Sequence, residues 1–216
     1  MPRPIFYDYW RSSAAYRVRI ALKLKGVDYE TRQIDLREDQ HRSSEYRALN
    51  PQGLVPMLEI DGHRLTQSLA IINYLDLRYP NVPLIPAAAA ERAHVVAMAM
   101  TIACDIHPLN NLRVLKYLKN ELGHSQDEID AWYKHWVREG LSALEAMAAP
   151  KAGSFLCGDA PTGADVCLVP QLYNARRWKV DLAPYPTLVR VDAACGTLPA
   201  FVAAHPDAQS DARPAG

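Results

Sequence analysis

Two apolar periods divide the chain. Over the first 80 residues short apolar runs alternate with helical stripes, and beyond residue 81 only the helical period continues. Ile5 to Tyr9 reads as a strand. It passes through Arg11-Ser12-Ser13 into a helix from Ser13 to Lys25, with Gly26 at the stop position. "VDYETRQID" reads as a second strand, and "SSEYRALN" as a short helix opened by a serine cap. "LVPMLEIDGHRLTQ" predicts a hairpin, Val55 to Ile60 and His63 to Thr66, joined through Asp61-Gly62. "QSLAIINYLDLRYP" is then a helix with Leu69, Ile72, Leu75 and Leu77 as its apolar stripe. The order is βαβ, then αββα.

"PNVPLIPAAAAE" is proline-rich and suits an interdomain connection, so residues 81–90 are read as a linker between a domain over 1–80 and a helical one over 91–205. Helices are expected over 88–122, 126–149, 162–179 and 187–196, with a shorter one at 198–204. Val95, Ala99, Ile102, Ile106 and Leu109 recur at helical spacing, and the pattern runs on through Leu112, Leu115 and Leu118. Pro108 is therefore expected to bend the first of these helices rather than end it. Thr162-Gly163-Ala164-Asp165 fits a capping box before the apolar run "VCLVPQL". The tail "HPDAQSDARPAG" is polar and Pro/Ala-rich, and residues 206–216 are expected to be disordered. The bottom-up class is a small α/β domain followed by an all-helical one.

Composition narrows the function by exclusion. Lys+Arg 24 against Asp+Glu 24 in 216 residues removes any global electrostatic case for a nucleic-acid or anionic-membrane partner. No stretch approaches the ~20 apolar residues of a membrane span. "MPRPIFYDYW" has neither an apolar signal core nor a cleavage site, which predicts a cytoplasmic protein. Cys104, Cys157, Cys167 and Cys195 lie far apart without a C-x-x-C pair, so neither a disulfide nor a metal site is expected.

The abrupt strand-to-helix turn raises the question of chemistry. A helix N-terminus presents unpaired N–H groups and partial positive charge, so it attracts anions. Ser12 stands at the N-cap position, where it either only caps or also donates outward. Val55-Pro56 places a proline at the start of a strand, where a cis bond would expose the preceding backbone. Gln67-Ser68 sets an amide and a hydroxyl at another helix start, suited to a carboxylate. Two anion-seeking helix starts flanking an exposed strand edge describe a site for an extended peptide with a thiol and a carboxylate. Glutathione has that shape.

The stretches "SSAAYRVRIALKLKG", "LNPQGLVPMLEIDG" and "QSLAIINYL" resemble the thioredoxin-like N-terminal domain of glutathione transferases, specifically the zeta class. "CDIHPLNNLRVLKYL" and "LVPQLYNARRWKVDLAPYPTL" resemble the helical domain of the same class. The resemblance implies the two-domain glutathione transferase fold, a thioredoxin-like α/β N-terminal domain followed by an all-α domain, and a homodimer. Zeta proteins are best known as maleylacetoacetate isomerase and, in bacteria, maleylpyruvate isomerase, both dependent on glutathione. In that family the capping box is buried and nucleates its helix. Many members carry a cysteine where this chain has Ala14, so the turn here offers no protein thiol.

Maleyl-to-fumaryl isomerisation needs rotation about a carbon–carbon double bond, which reversible addition of a thiolate permits. Ser12 is the expected hydroxyl donor to that sulfur, helped by the amides near Ser13 and Ala14. The resemblance implies further glutathione contacts from His41, Val55, Pro56, Gln67 and Ser68, and neighbouring roles for His107 and Asn111. His107 is expected to line the site rather than act as a base. For the carboxylates of a maleyl dicarboxylate substrate arginine is apt, because its fork bonds them in pairs. The resemblance singles out Arg11 and Arg177 as catalytic or substrate-binding, and Arg113 on the pattern of the bacterial maleylpyruvate isomerases. Arg176 is expected to be structural or exposed. The expected reaction is maleylacetoacetate to fumarylacetoacetate. Alternatives are the maleylpyruvate reaction, glutathione transfer to or dehalogenation of small α-halo acids, and a non-catalytic interaction module.

Overall fold

The apolar run near the N-terminus forms β1 (Ile5–Asp8), one residue shorter than expected. The structure, a computed structural model, describes residues 2–212. They fall into two compact units, residues 2–83 with 197–212, and Leu84–Gly196.

In the first unit α1 (Ser13–Leu24) follows β1 and buries Ala15, Val18, Ile20, Ala21 and Leu22. β2 (Glu30–Gln33) pairs parallel to β1 and is exposed along its length, as an edge strand can be. A 3-10 turn (Gln40–Arg42) and α2 (Ser44–Leu49) lead to the hairpin of β3 (Met57–Ile60) and β4 (His63–Thr66). The sheet order is β2-β1-β3-β4, with β3 antiparallel to both its neighbours. Asp61 (φ 52°) and Gly62 (φ 81°) both occupy the left-handed region, as a two-residue hairpin turn of this twist requires. α3 (Ser68–Arg78) closes this αβ arrangement. Its buried stripe is Ile71, Ile72 and Leu75, whereas Leu77, expected in that stripe, is 71% exposed. Two residues beyond Leu75 lie about 200° around a helix, and so on its far side.

The second unit is helical. α4 (Ala89–Met100) runs into a π-helical turn (Thr101–Ile106) and a 3-10 turn (Pro108–Asn110) before α5 (Leu112–Asn120). The single bent helix expected over 88–122 is therefore corrected. Pro108 has no N–H to continue the ladder, and Asn111 takes an extended conformation (φ −67°, ψ 145°) from which its side chain caps α5. α6 (Gln126–Ala148) packs closely on the π turn: a Cβ at Gly140 would lie 2.1 Å from Ile106 Cγ1, so only glycine fits there. α7 (Gly163–Arg177) is the central helix, and α8 (Pro186–Cys195) packs on it. Its capping box is buried as expected. Asp165 Oδ2 accepts from the Thr162 amide (2.7 Å) and hydroxyl (2.8 Å), and Oδ1 accepts from the Leu156 amide (2.8 Å). Burial pushes the Asp165 carboxyl up against the pull of those bonds.

Two boundaries differ from expectation. Leu84, placed in the linker, is fully buried in the second unit, its carbonyl accepting from the Gly163 amide at 2.7 Å. α9 (Pro199–Ala204), expected within the helical domain, packs on α1 and groups by its contacts with the first unit. The segment behind it is ordered as far as it is described: Pro206–Ala208 forms a 3-10 turn, and the Trp10 amide donates to Asp211. The rest of the expected disordered tail, 213–216, lies outside the described residues. The tie is a buried network. Arg19 Nη1 bonds both carboxylate oxygens of Asp8 (2.7 and 2.8 Å), Nη2 bonds the Trp10 carbonyl (2.7 Å) and Nε the Ala204 carbonyl (3.0 Å).

Candidate active site

Ser12 N-caps α1 as expected, its Oγ accepting from the Ala15 amide at 3.2 Å. That bond uses a lone pair and leaves the O–H as a donor. No acidic residue occupies the first turn of α1, so the helix supplies no carboxylate of its own to answer the partial positive charge there. The Ser12 amide donates to the Tyr9 carbonyl (2.9 Å), closing a tight turn over Trp10 and Arg11. Arg11 is half-buried with its guanidinium carbon 5.5 Å from the Trp10 ring centre, Ser13 is buried, and Ala14 is half-buried.

The second helix start is built on strain. Gln67 N-caps α3 with φ 66° and ψ 118°, a conformation that costs a non-glycine residue on the order of 1–3 kcal/mol. α3 likewise has no acidic residue in its first turn. Gln67 Nε2 donates to Gln52 Oε1 (2.9 Å), and the buried Ser68 Oγ accepts from Arg17 Nη1 (3.2 Å). Arg17, 1% exposed, thus links the two helix starts.

Between them runs the loop that carries Val55. The Val55-Pro56 bond is cis, as expected. Asn50 folds the loop, its Nδ2 donating to the Leu54 carbonyl (2.7 Å) and its Oδ1 accepting from the Gln52 amide (3.1 Å). Gly53 (φ 59°) lets the His41 backbone approach: a Cβ there would lie 2.8 Å from the His41 carbonyl oxygen. The first unit thus places Ser12 at the start of α1, Gln67 and Ser68 at the start of α3, and Val55 and Pro56 on the loop that leads into β3, with the His41 carbonyl close to Gly53 of the same loop.

In the second unit the 3-10 turn brings His107 and Asn111 together, Nε2 to Nδ2 at 3.3 Å. Asn111 Oδ1 also accepts from the Arg113 amide (3.1 Å), while Arg113 itself is exposed. Arg177, at the exposed end of α7, lies 6.0 Å from the Tyr173 ring centre. Its charge also reaches Tyr133, whose hydroxyl burial pushes up and Arg177 pulls down. Tyr133 stacks on Trp178 with ring centres 4.1 Å apart. Arg176 is structural, paired with Asp192 at 2.6 Å.

Sequence reasoning passed over Gln52, Arg17, Arg19 and Asn50. Only the two arginines left a signal, as charges two apart within the apolar stretch from Ala14 to Leu22.

Residues 4–77 match the glutathione S-transferase N-terminal domain, and residues 126–208 the glutathione S-transferase C-terminal domain. A probable maleylacetoacetate isomerase of Vibrio cholerae is 49% identical over 96% of this chain and 98% of its own. A holo structure of a bacterial maleylpyruvate isomerase, a zeta-class glutathione transferase, superposes with a TM-score of 0.95 at 47% identity. It covers 97% of this chain and 100% of that one. The chain belongs to the zeta class of glutathione transferases. A maleylacetoacetate isomerase of Anaeromyxobacter dehalogenans, with dicarboxyethyl glutathione and citrate in its active site, is 44% identical. It covers 98% of each chain with a TM-score of 0.87. Ala14 leaves the turn that opens α1 without a cysteine. Among the described residues no helix is long and apolar enough to cross a membrane.

Proposed function

We propose that this zeta-class transferase is a cytoplasmic, glutathione-dependent cis–trans isomerase that converts maleylacetoacetate to fumarylacetoacetate. The observation that carries the reading is the α1 start, where the Ser12 hydroxyl retains its proton for donation and no carboxylate neutralises the first turn. The residues present fit glutathione. Two uncompensated helix N-termini suit its thiolate and a carboxylate, and the cis Val55-Pro56 loop offers backbone for pairing with its peptide unit. When bound, glutathione supplies the thiolate whose addition and departure let the alkene rotate.

The chain's own residues supply the rest. Ser12 and the first amides of α1 hold negative charge on sulfur at neutral pH, against a free thiol's ~8.5. Gln67, Ser68 and His41 orient the tripeptide, and His107 and Asn111 are further candidate contacts to it. Arg11, one residue before Ser12, stabilises charge that develops on the substrate carbonyl. Arg177, exposed at the end of α7 beside the Tyr173 ring, anchors a substrate carboxylate, and Arg113 is a second cation for that task. The citrate held by the Anaeromyxobacter relative supports carboxylate recognition at such a site.

Assay of the purified protein with maleylacetoacetate, with and without glutathione, tests the reading: turnover that persists without the thiol, or is absent with it, would overturn it. Arg177→Ala is expected to raise KM for the maleyl compound roughly tenfold or more with kcat nearly unchanged, since a ground-state anchor binds both states alike. Glutathione affinity should hold in that variant; an equal loss would refute the anchoring role.

The second reading is maleylpyruvate as substrate. It is favoured by the 0.95 TM-score to a maleylpyruvate isomerase, and the same assay with maleylpyruvate decides between the two by kcat/KM. We further propose a homodimer, supported by large apolar side chains left exposed in both units, Leu77 (71%) and Met100 (49%) among them. Sedimentation is expected to show about twice the 24.1 kDa chain mass; a single species at the chain mass would refute it.

A further inference from the structure

We propose that Asp211, on the segment after α9, is a positioning residue for the turn that carries Ser12, acting as acceptor for the Trp10 amide. The inference rests on the thiolate-binding role given to that turn above.

The turn's internal bond, Ser12 amide to Tyr9 carbonyl, leaves the polar groups of Trp10 to be met from outside. Trp10 is 5% exposed, so bulk water is a poor substitute. Arg19 Nη2 takes its carbonyl at 2.7 Å, and Asp211 Oδ2 takes its amide hydrogen at 3.3 Å. Both peptide units of Trp10 are thus gripped, one from α1 and one from a residue 201 positions along the chain. The next two residues are Arg11 and Ser12.

Asp211 is not placed there by its own charge. It faces the Asp8 carboxylate, whose proton affinity it raises, so the charge contact alone is repulsive. The segment is seated by its neighbours instead. Ser210 Oγ accepts from Gln33 Nε2 at 3.2 Å, and Ala212 packs on the cluster of Tyr7, Tyr9, Trp10, Tyr46, Val55 and Met57. That cluster includes Trp10 and Val55, so the segment packs on the same apolar group as the turn that carries Ser12 and the loop that carries Val55. The contact is not a continuous apolar seam. A cavity of about 510 Å³ lies beside it, lined by Tyr9, Trp10, Gln33 and Arg37 together with Ser210 and Asp211. The amide of Trp10 thus has its hold on the C-terminal segment through the Asp211 bond, while Arg19 holds its carbonyl.

The test compares Asp211→Ala with Asp211→Asn in the full chain. Alanine removes the acceptor, whereas asparagine keeps an acceptor oxygen and removes the charge. Amide hydrogen exchange across Tyr9–Ala15 in the free protein should accelerate roughly tenfold in the alanine variant and return to the parent rate in the asparagine variant. kcat should follow the same order, falling several-fold for alanine and recovering for asparagine, with the melting temperature little changed. Unaltered exchange in Asp211→Ala, or an asparagine variant as fast as the alanine one, would overturn the proposal. Should the parent protein fail to bind glutathione, the functional reading falls, and the exchange rates still decide the role of Asp211.

Discussion

Arg19→Met is expected to destabilise the protein by about 3–5 kcal/mol, the usual penalty for leaving a buried carboxylate unpaired. For a chain of this length that corresponds to a melting temperature lower by roughly 10 °C. The side chains of Arg19 and Asp8 are only 1% and 3% exposed, so water cannot replace the lost partner. Two further acceptors, the carbonyls of Trp10 and Ala204, would lose their donor at the same time. Because Ala204 ends α9, the loss should also free the C-terminal segment, and proteolysis should clip it sooner than in the parent. Thermal unfolding followed by circular dichroism gives the primary readout. The double variant Asp8→Ala/Arg19→Met should recover part of the loss, since it removes the uncompensated charge and leaves only the two carbonyls unmet. A single variant melting within about 2 °C of the parent would show that the network contributes little.

Ser12→Ala is expected to leave the fold in place and to lower kcat by about 10²–10³, the usual cost of removing one preorganised donor to a developing anion. The structural part of the loss is small. Ser12 caps α1 through one 3.2 Å bond, and a missing cap costs about 1 kcal/mol. The chemical part acts through the sulfur. Without the hydroxyl donor the thiol of bound glutathione should titrate at higher pH, so the thiolate fraction at neutral pH falls and the rise of activity with pH moves to more alkaline values. Ultraviolet thiolate absorbance of the complex, titrated against pH, separates the two parts. An unshifted titration with full activity would sink the role of Ser12, and an unshifted titration with reduced activity would assign it to capping alone. Ala14 sharpens the result, because no cysteine in the turn can substitute for the bound thiol.

Positions set by short-range chemistry were legible in the sequence. Ser12 as an N-cap, the Asp61-Gly62 turn, the cis bond at Val55-Pro56 and the Thr162–Asp165 capping box each depend on a few adjacent residues. Leu77 and the helix through Pro108 were misread for one reason: apolar residues at near-helical spacing were counted without asking which way each pointed. Leu77 lies on the far side of α3, and a proline after a π turn ended the ladder that the pattern seemed to continue. Gln52 was passed over because nothing local marks it. Its partner Gln67 lies 15 residues on and holds it only after the hairpin and α3 have formed.

By itself the sequence determined the strands and helices of the first 80 residues, their order βαβ then αββα, and the turn that opens α1, because periodicity, caps and turn residues act within a few positions. Only the tertiary structure decided that the C-terminal segment belongs with the first unit rather than trailing in solvent. Its polar, Pro/Ala-rich composition describes a chain unable to bury much apolar surface, and composition carries no record of partners 185 and 201 residues away. The Ala204 carbonyl and the Asp211 carboxylate acquire their meaning from Arg19 and Trp10, which the folded sheet and α1 bring within hydrogen-bond distance. Buried polar groups must find partners wherever the fold supplies them, and here a polar tail supplies one to the turn that carries Ser12.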